Sequence, residues 1–94
     1  MNTTNSDQAK LAAEAPSWTY HENALEKIFV FQTFSEAFGF ITRVALLSER
    51  MDHHPEWSNI YNEVHIRLST HTEGDITDKD IVLAHRIDAM VEEV

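Results

Sequence analysis

Two histidines stand side by side in the stretch Glu49-Arg50-Met51-Asp52-His53-His54-Pro55-Glu56-Trp57. Imidazole titrates near neutrality, so it can give or take a proton at working pH. A long helical pattern precedes the pair; strand-like residues and a further histidine, His71, follow it. The dipole at a helix C-terminus favours an imidazolium. Glu49 lies four residues before His53, so it can approach that ring if the last turn stays helical. A carboxylate beside an imidazole favours its charged form or fixes its tautomer. That describes a general acid with an orienting partner. Pro55 biases His54 toward extended geometry, which ends the helix and makes His54 a pocket wall.

The same residues have plainer readings. A polar helix cap followed by a proline turn also accounts for His53-His54-Pro55. Asp52 reads as a pocket residue or a helix-end acid. His53, His54, His71 and Asp80 could offer three nitrogens and an oxygen to a zinc ion. Against that, the helical His-x-x-x-His spacing is missing, and adjacent side chains point apart. His21 in a turn, His65 on a strand and His85 on the last helix read as solvent-facing or structural.

Whether His71 meets the pair depends on the elements between them. Residues 1–14 read as a polar tail or short helix, stopped by Pro16, and 15–94 as one domain. Residues 17–20 and 24–31 read as paired strands around the turn His21-Glu22-Asn23. Leu25, Lys27, Phe29 and Phe31 share one face of the second strand; Ile28 and Val30 share the other. Thr33-Phe34-Ser35-Glu36 matches a capping box and opens a helix to about Arg50 or Met51. Its core stripe is predicted at Phe34, Ala37, Phe38, Ile41, Val44 and Ala45. A second stripe, Phe40, Leu47 and Met51, points to an oligomer contact. Gly39 inside the helix costs about 1 kcal/mol relative to alanine, which a close approach to the sheet or another helix would explain.

Residues 56–61 form a third predicted strand and Asn62-Glu63 a turn. Val64, Ile66 and Leu68 then alternate with polar residues as the clearest half-buried strand. Thr77 caps a last helix, with Asp78 and Asp80 in its first turn and Ile76 and Ile81 as a hydrophobic staple. Leu83, Ala84, Ile87, Met90, Val91 and Val94 make its apolar stripe. The order β-β-α-β-β-α, with room for an extra N-terminal helix, predicts an α+β fold: a four-stranded antiparallel sheet with helices on one face.

Composition narrows the partners. The 94 residues suit one domain, and sixteen acids against seven Lys and Arg give a net charge of -9. That balance opposes direct nucleic-acid binding, an anionic membrane and a polyphosphate substrate, and suits a small, nearly neutral ligand. No apolar run approaches the ~18 residues of a membrane span, and no secretory core opens the sequence, so a cytoplasmic protein is expected. With no cysteine, thiol chemistry and disulfides are excluded, and oligomerisation is the remaining way for a small chain to bury more surface.

Taken in order, Glu49, His53-His54-Pro55, Tyr61, His71 and Asp80 fit one ordered pattern. The chain resembles the pterin-4a-carbinolamine (4a-hydroxytetrahydrobiopterin) dehydratases over roughly residues 18–87. Further likeness lies in residues 34–38, 60–64, 68–71 and 80–84. The resemblance implies a homodimer or homotetramer that removes water from 4a-hydroxytetrahydrobiopterin, giving quinonoid dihydropterin. It implies pterin recycling alongside an aromatic amino-acid hydroxylase, with no metal or organic cofactor. By position, His53 resembles the principal general acid and His71 a second acid-base group from the opposite side of the ring. Glu49 would assist, and His54 would mainly bind the pterin. Pro55, Trp57 and the Thr70 backbone would shape the pocket, with Thr72 and Asp80 as further contacts. Asp80 also has a sufficient explanation as a capping residue. Thr72-Glu73-Gly74-Asp75 departs from the family's small, Gly-rich turn and adds negative charge near the mouth. Two other functions fit such a chain: a dimerisation or transcriptional cofactor, and a pterin-binding protein of another pathway.

Overall fold

Period-two alternation in one strand decides which way the sheet faces. Val64, Ile66 and Leu68 are buried, while Glu63, His65 and Arg67 point the other way. In the computed structural model, which describes residues 3–92, that strand lies inside a four-stranded sheet. The elements are α1 (Thr3–Ala12), β1 (Thr19–His21), β2 (Ala24–Val30), α2 (Phe34–Met51), β3 (Glu56–Ile60), β4 (Glu63–Leu68) and α3 (Asp78–Glu92). The readings that fall on residues 1 and 2 and on Val94 lie outside the described residues. Strand order is β1-β2-β4-β3, antiparallel throughout. Register sets Leu25 opposite Leu68, Phe29 opposite Val64 and Trp57 opposite Ile66 on the helix-covered side.

The expected α+β architecture is present, with α1 as the extra N-terminal helix. Tight hairpins explain the register. Glu22 and Asn23 both take positive φ, the turn whose twist matches the flanking strands. The second turn falls at Tyr61 (φ 50°) and Asn62, one residue earlier than expected, so Glu63 already pairs in β4. Asn62 fixes it by donating its side-chain amide to the Phe31 carbonyl at 2.8 Å.

Thr33 caps α2 by accepting from the Glu36 amide at 3.1 Å, and the Glu36 carboxylate accepts from Gln32 N–H. The helix buries Ala37, Phe40, Ile41, Val44, Leu47 and Ser48. This corrects the expected stripes. Phe40 and Leu47 belong to the core, whereas Phe34 and Phe38 face solvent at 49% and 54% exposure. At ~100° per residue, Phe38 lies about 120° around the helix from Val44, beyond the arc the sheet can cover. The core gathers Trp18, Phe29, Phe40 and, at its margin, Phe31, whose ring centroids in that order are 4.8–5.8 Å apart.

α1 is tied down rather than loose. Gln8 donates to the Ile76 carbonyl, Ala12 and Ala15 are buried, and His85 Nε2–H donates to Glu14 O at 2.7 Å. Among the described residues no helix is long and apolar enough to cross a membrane. Gly39 meets neither sheet nor helix: an added Cβ would come within 4 Å only of Arg43 Nη1, at 3.9 Å. With that space free, Gly39→Ala is predicted to stabilise the fold by about 0.5–1 kcal/mol, read as a higher urea midpoint at unchanged slope.

Candidate active site

The end of α2 aims the histidine pair. Asp52 adopts a left-handed conformation (φ 53°), and its amide returns to Glu49 O while the His53 amide returns to Ser48 O. This double bond pattern is a Schellman ending, built on an aspartate where glycine is usual. The reversal separates the two rings. His53 turns inward and is almost fully buried, whereas His54 stays exposed. The expected Glu49–His53 partnership is therefore corrected: Glu49 Oε1 accepts from His54 Nε2–H at 2.8 Å, outside on the rim. The helix ends too early for Glu49 to sit beneath His53.

His53 is instead held by Asp80. Nε2–H donates to Asp80 Oδ1 at 2.6 Å. Asp80 Oδ2 accepts from Thr70 Oγ1–H at 2.8 Å and from the Thr77 amide at 2.9 Å. Because the Thr70 proton is committed to Asp80, Thr77 Oγ1–H donates to Thr70 Oγ1 at 2.7 Å. Asp80 is 0% exposed, so it reaches no ligand directly, contrary to its place among the expected pterin contacts. Its capping role and its contact with His53 are the same structure: the carboxylate that accepts from the Thr77 amide also accepts from the His53 ring. With Nε2–H engaged, the free nitrogen of His53 is Nδ1.

The loop after β4 supplies His71. Thr70 N–H donates to Asp75 O at 3.0 Å, and the Glu73 and Gly74 amides both donate to Thr70 O at 2.9 Å. The Thr70 backbone is thus consumed in closing its own loop, and its hydroxyl in bonds to Asp80 and Thr77. Gly74 has φ +71°, which a side chain would strain. Tyr20 O–H donates to Asp75 Oδ1 at 2.8 Å and anchors the loop to β1. Burial, then the hydrogen bond to Asp75 and its negative charge, push the Tyr20 hydroxyl up to about 12.

A cleft of about 340 Å³ opens between these segments, within the ~300–1,000 Å³ of small-ligand sites. It brings together His53, His54, His71, Thr70 and Thr72. It also takes in Asp52, Ser69 and Lys79, of which Ser69 and Lys79 escaped sequence reasoning. Lys79 could have been found from its place beside Asp80 at the start of α3. Glu49 stands behind His54, and Pro55 and Trp57 lie outside the lining; Trp57 sits on the helix side of edge strand β3. His21 and His65 meet Glu26 on the opposite side of the sheet, and His85 braces the turn that follows α1. Among the described residues, no three His, Cys, Asp or Glu side chains converge on a cation position.

Comparison with known proteins gives a consistent pattern. Residues 2–90 match the family model described as pterin 4 alpha carbinolamine dehydratase. A protein of Prochlorococcus marinus (strain NATL2A), provisionally named a pterin-4-alpha-carbinolamine dehydratase, is 54% identical over 76 residues, covering 81% of this chain and 80% of the relative. One of Synechococcus sp. (strain WH7803), with the same provisional name, is 48% identical over 85 residues, covering 90% and 91%. The crystal structure of a transcriptional coactivator/pterin dehydratase from Brucella melitensis superposes with TM-score 0.83 at 39% identity, over 92% of this chain and 94% of that one. A pterin dehydratase-like protein identified as a RuBisCO assembly factor in the alpha-carboxysome superposes with TM-score 0.68 at 28% identity, over 78% and 87%.

Two measurements test this construction. A capping box alone is worth about 1 kcal/mol. Asp80→Ala also strips the acceptor from His53 and Thr70, so it is predicted to cost about 3–5 kcal/mol in urea unfolding, the scale of a broken buried pair. Tyr20 makes a pH prediction. Its folded value lies above the ordinary 10, so its contribution is fully present below pH 10 and is lost as pH rises toward about 12. Unfolding midpoints followed from pH 9 to pH 12 should fall more steeply in wild type than in Tyr20→Phe.

Proposed function

The chain belongs to the pterin 4 alpha carbinolamine dehydratase family, and on that premise we propose that it removes water from 4a-hydroxytetrahydrobiopterin to give quinonoid dihydropterin. The observation that carries the reading is His53, pinned through Nε2 to the enclosed Asp80, in a cleft shared with His54 and His71. Hydroxide is a poor leaving group, so the 4a-oxygen needs a proton as the C4a–O bond breaks. The N5 lone pair completes a C4a=N5 double bond, and the proton on N5 must depart. Protonated His53 gives its Nδ1 proton to the leaving oxygen, and His71 takes the N5 proton; water and the quinonoid pterin result. Such groups each contribute about 10²–10⁴-fold.

His54, steadied by Glu49, borders the pterin at the rim. The amide-like pterin edge suits Thr72 Oγ1 and Lys79 Nζ, which line the same cleft. The reaction requires neither metal nor organic cofactor, because every proton has a side chain to carry it. We place it in cytoplasmic pterin recycling, beside an aromatic amino-acid hydroxylase, in a homodimer or homotetramer that covers the solvent-facing Phe34 and Phe38. That same apolar stripe favours the second reading, a protein-binding role without turnover, which the name of the RuBisCO assembly factor also brings forward.

Stopped-flow absorbance on freshly generated 4a-hydroxytetrahydropterin separates the two. Wild type should add rate over the uncatalysed background. His53→Ala should remove about 10²-fold or more of that added rate, and His71→Ala about 10-fold or more. No added rate from wild type would leave the protein-binding reading; an intact rate in the double variant would overturn the assigned roles.

A further inference from the structure

The sheet face turned away from the helices carries a row of charges in strict register. Glu56 of β3 lies opposite Arg67 of β4, and Arg67 lies opposite Glu26 of β2. The centre of the row is fixed. Arg67 Nη2–H donates to the Glu22 carbonyl at 2.7 Å, and its Nε–H to Glu26 Oε2 at 3.3 Å. Burial pushes the Glu26 carboxyl up, but hydrogen bonds from His21, His65 and Arg67 outweigh it and hold the group below its usual range. Arg67 is therefore a guanidinium held from two sides, and its Nη1 lies 3.9 Å from Glu56 Oε2.

The row does not stop at Glu56. The same Oε2 lies 3.7 Å from His71 Nε2. His71 is on the loop that follows β4, and β3 begins at the same end of the sheet, so the antiparallel pairing itself brings the two side chains together. Oε2 thus stands between a pinned guanidinium and one of the cleft's rings. We infer that Glu56 is the positioning residue of His71, held toward that ring by the Arg67–Glu26 row. This rests on the dehydratase reading. It gives the second acid-base group a carboxylate neighbour, looser and more exposed than Asp80 is to His53, from the other face of the sheet.

The plain alternative is a surface ion pair. Exposed pairs contribute about 0–1 kcal/mol to stability, and both side chains here are more than half exposed. A purely structural role therefore predicts almost no effect of Glu56→Gln on anything. A positioning role predicts an unchanged urea midpoint together with a changed turnover. Neighbouring groups that share one interaction couple by amounts that reach tenfold in rate.

The test is a double-mutant cycle of Glu56→Gln with His71→Ala, read by stopped-flow turnover, with Glu56→Asp as the conservative variant. The expected result is a fall in kcat of about tenfold for Glu56→Gln with KM nearly unchanged, partial recovery in Glu56→Asp, and no further fall in the His71→Ala background. In the same proteins, side-chain ¹⁵N spectra report the pair without turnover. The His71 Nε2 signal should move in Glu56→Gln and stay in place in Glu63→Gln. Wild-type kcat in Glu56→Gln would overturn the inference, as would an equal fall with and without His71. If wild type shows no turnover, the dehydratase reading fails, and an unmoved His71 signal then overturns the pairing as well.

Discussion

Asp80 is enclosed without access to water, so its charge has to be met by donors from the protein itself. Those donors come from three places: His53 at the end of α2, Thr70 at the end of β4, and the amide of Thr77 at the start of α3. One carboxylate therefore joins the three segments that build the cleft. The arrangement is unforgiving, because leaving any of the donors unpaired in a buried position costs more than the bond itself contributes. It also explains why a small acidic protein can keep a precise histidine. The ring's tautomer and direction are set by a group that neither solvent nor ligand can reach.

The sheet divides the labour around that site. Its helix-covered face stores the apolar mass: Leu25, Phe29, Val64, Ile66 and Leu68. Its other face carries the ion pairs of Glu26, Arg67 and Glu56 beside solvent-facing Ile28, Val30 and Ile60. The cleft lies at the end of the sheet where α2 stops and β4 runs out, so side chains from both layers can reach it. His53 arrives from the helix layer, and His71 from the loop that leaves the sheet. A site at such a junction gains rigidity from both layers while its mouth remains open.

Local rules made most of the elements legible. Alternation marked β4, Thr33 and Glu36 marked the start of α2, and Thr77 with Asp80 marked the start of α3. The three histidines of the ordered pattern, His53, His54 and His71, do share one cleft. What spacing could not show was direction. Asp52 in the left-handed region is an uncommon choice, and the chain reversal it makes accompanies the pairing of Glu49 with His54 instead of His53. Likewise, Phe34 and Phe38 obey helical periodicity yet lie outside the covered arc, because periodicity states which residues share a face and not how wide the sheet beneath them is. Asp80 had two explanations in the sequence, cap and ligand contact, and the three-dimensional meeting of α2 with α3 shows the capping carboxylate holding His53 instead of facing a ligand.

The acidic loop after His71 illustrates the same point for charge. Thr72-Glu73-Gly74-Asp75 places two carboxylates close in sequence to the cleft. Asp75, however, turns away: its Oδ1 accepts from Tyr20 O–H and from the Ile76 amide, and it is absent from the cleft lining. Its negative charge is spent on holding the loop to β1. Lys79, meanwhile, lines the cleft from the N-terminal turn of α3, where the helix dipole adds to its positive charge. Folding therefore takes Asp75 out of the expected negative charge at the mouth and sets Lys79 into the lining, while Asp52 stays in it. An overall charge of -9 describes how the protein meets other macromolecules; the potential a ligand meets inside the cleft is set by which side chains the loop turns inward and which it turns away.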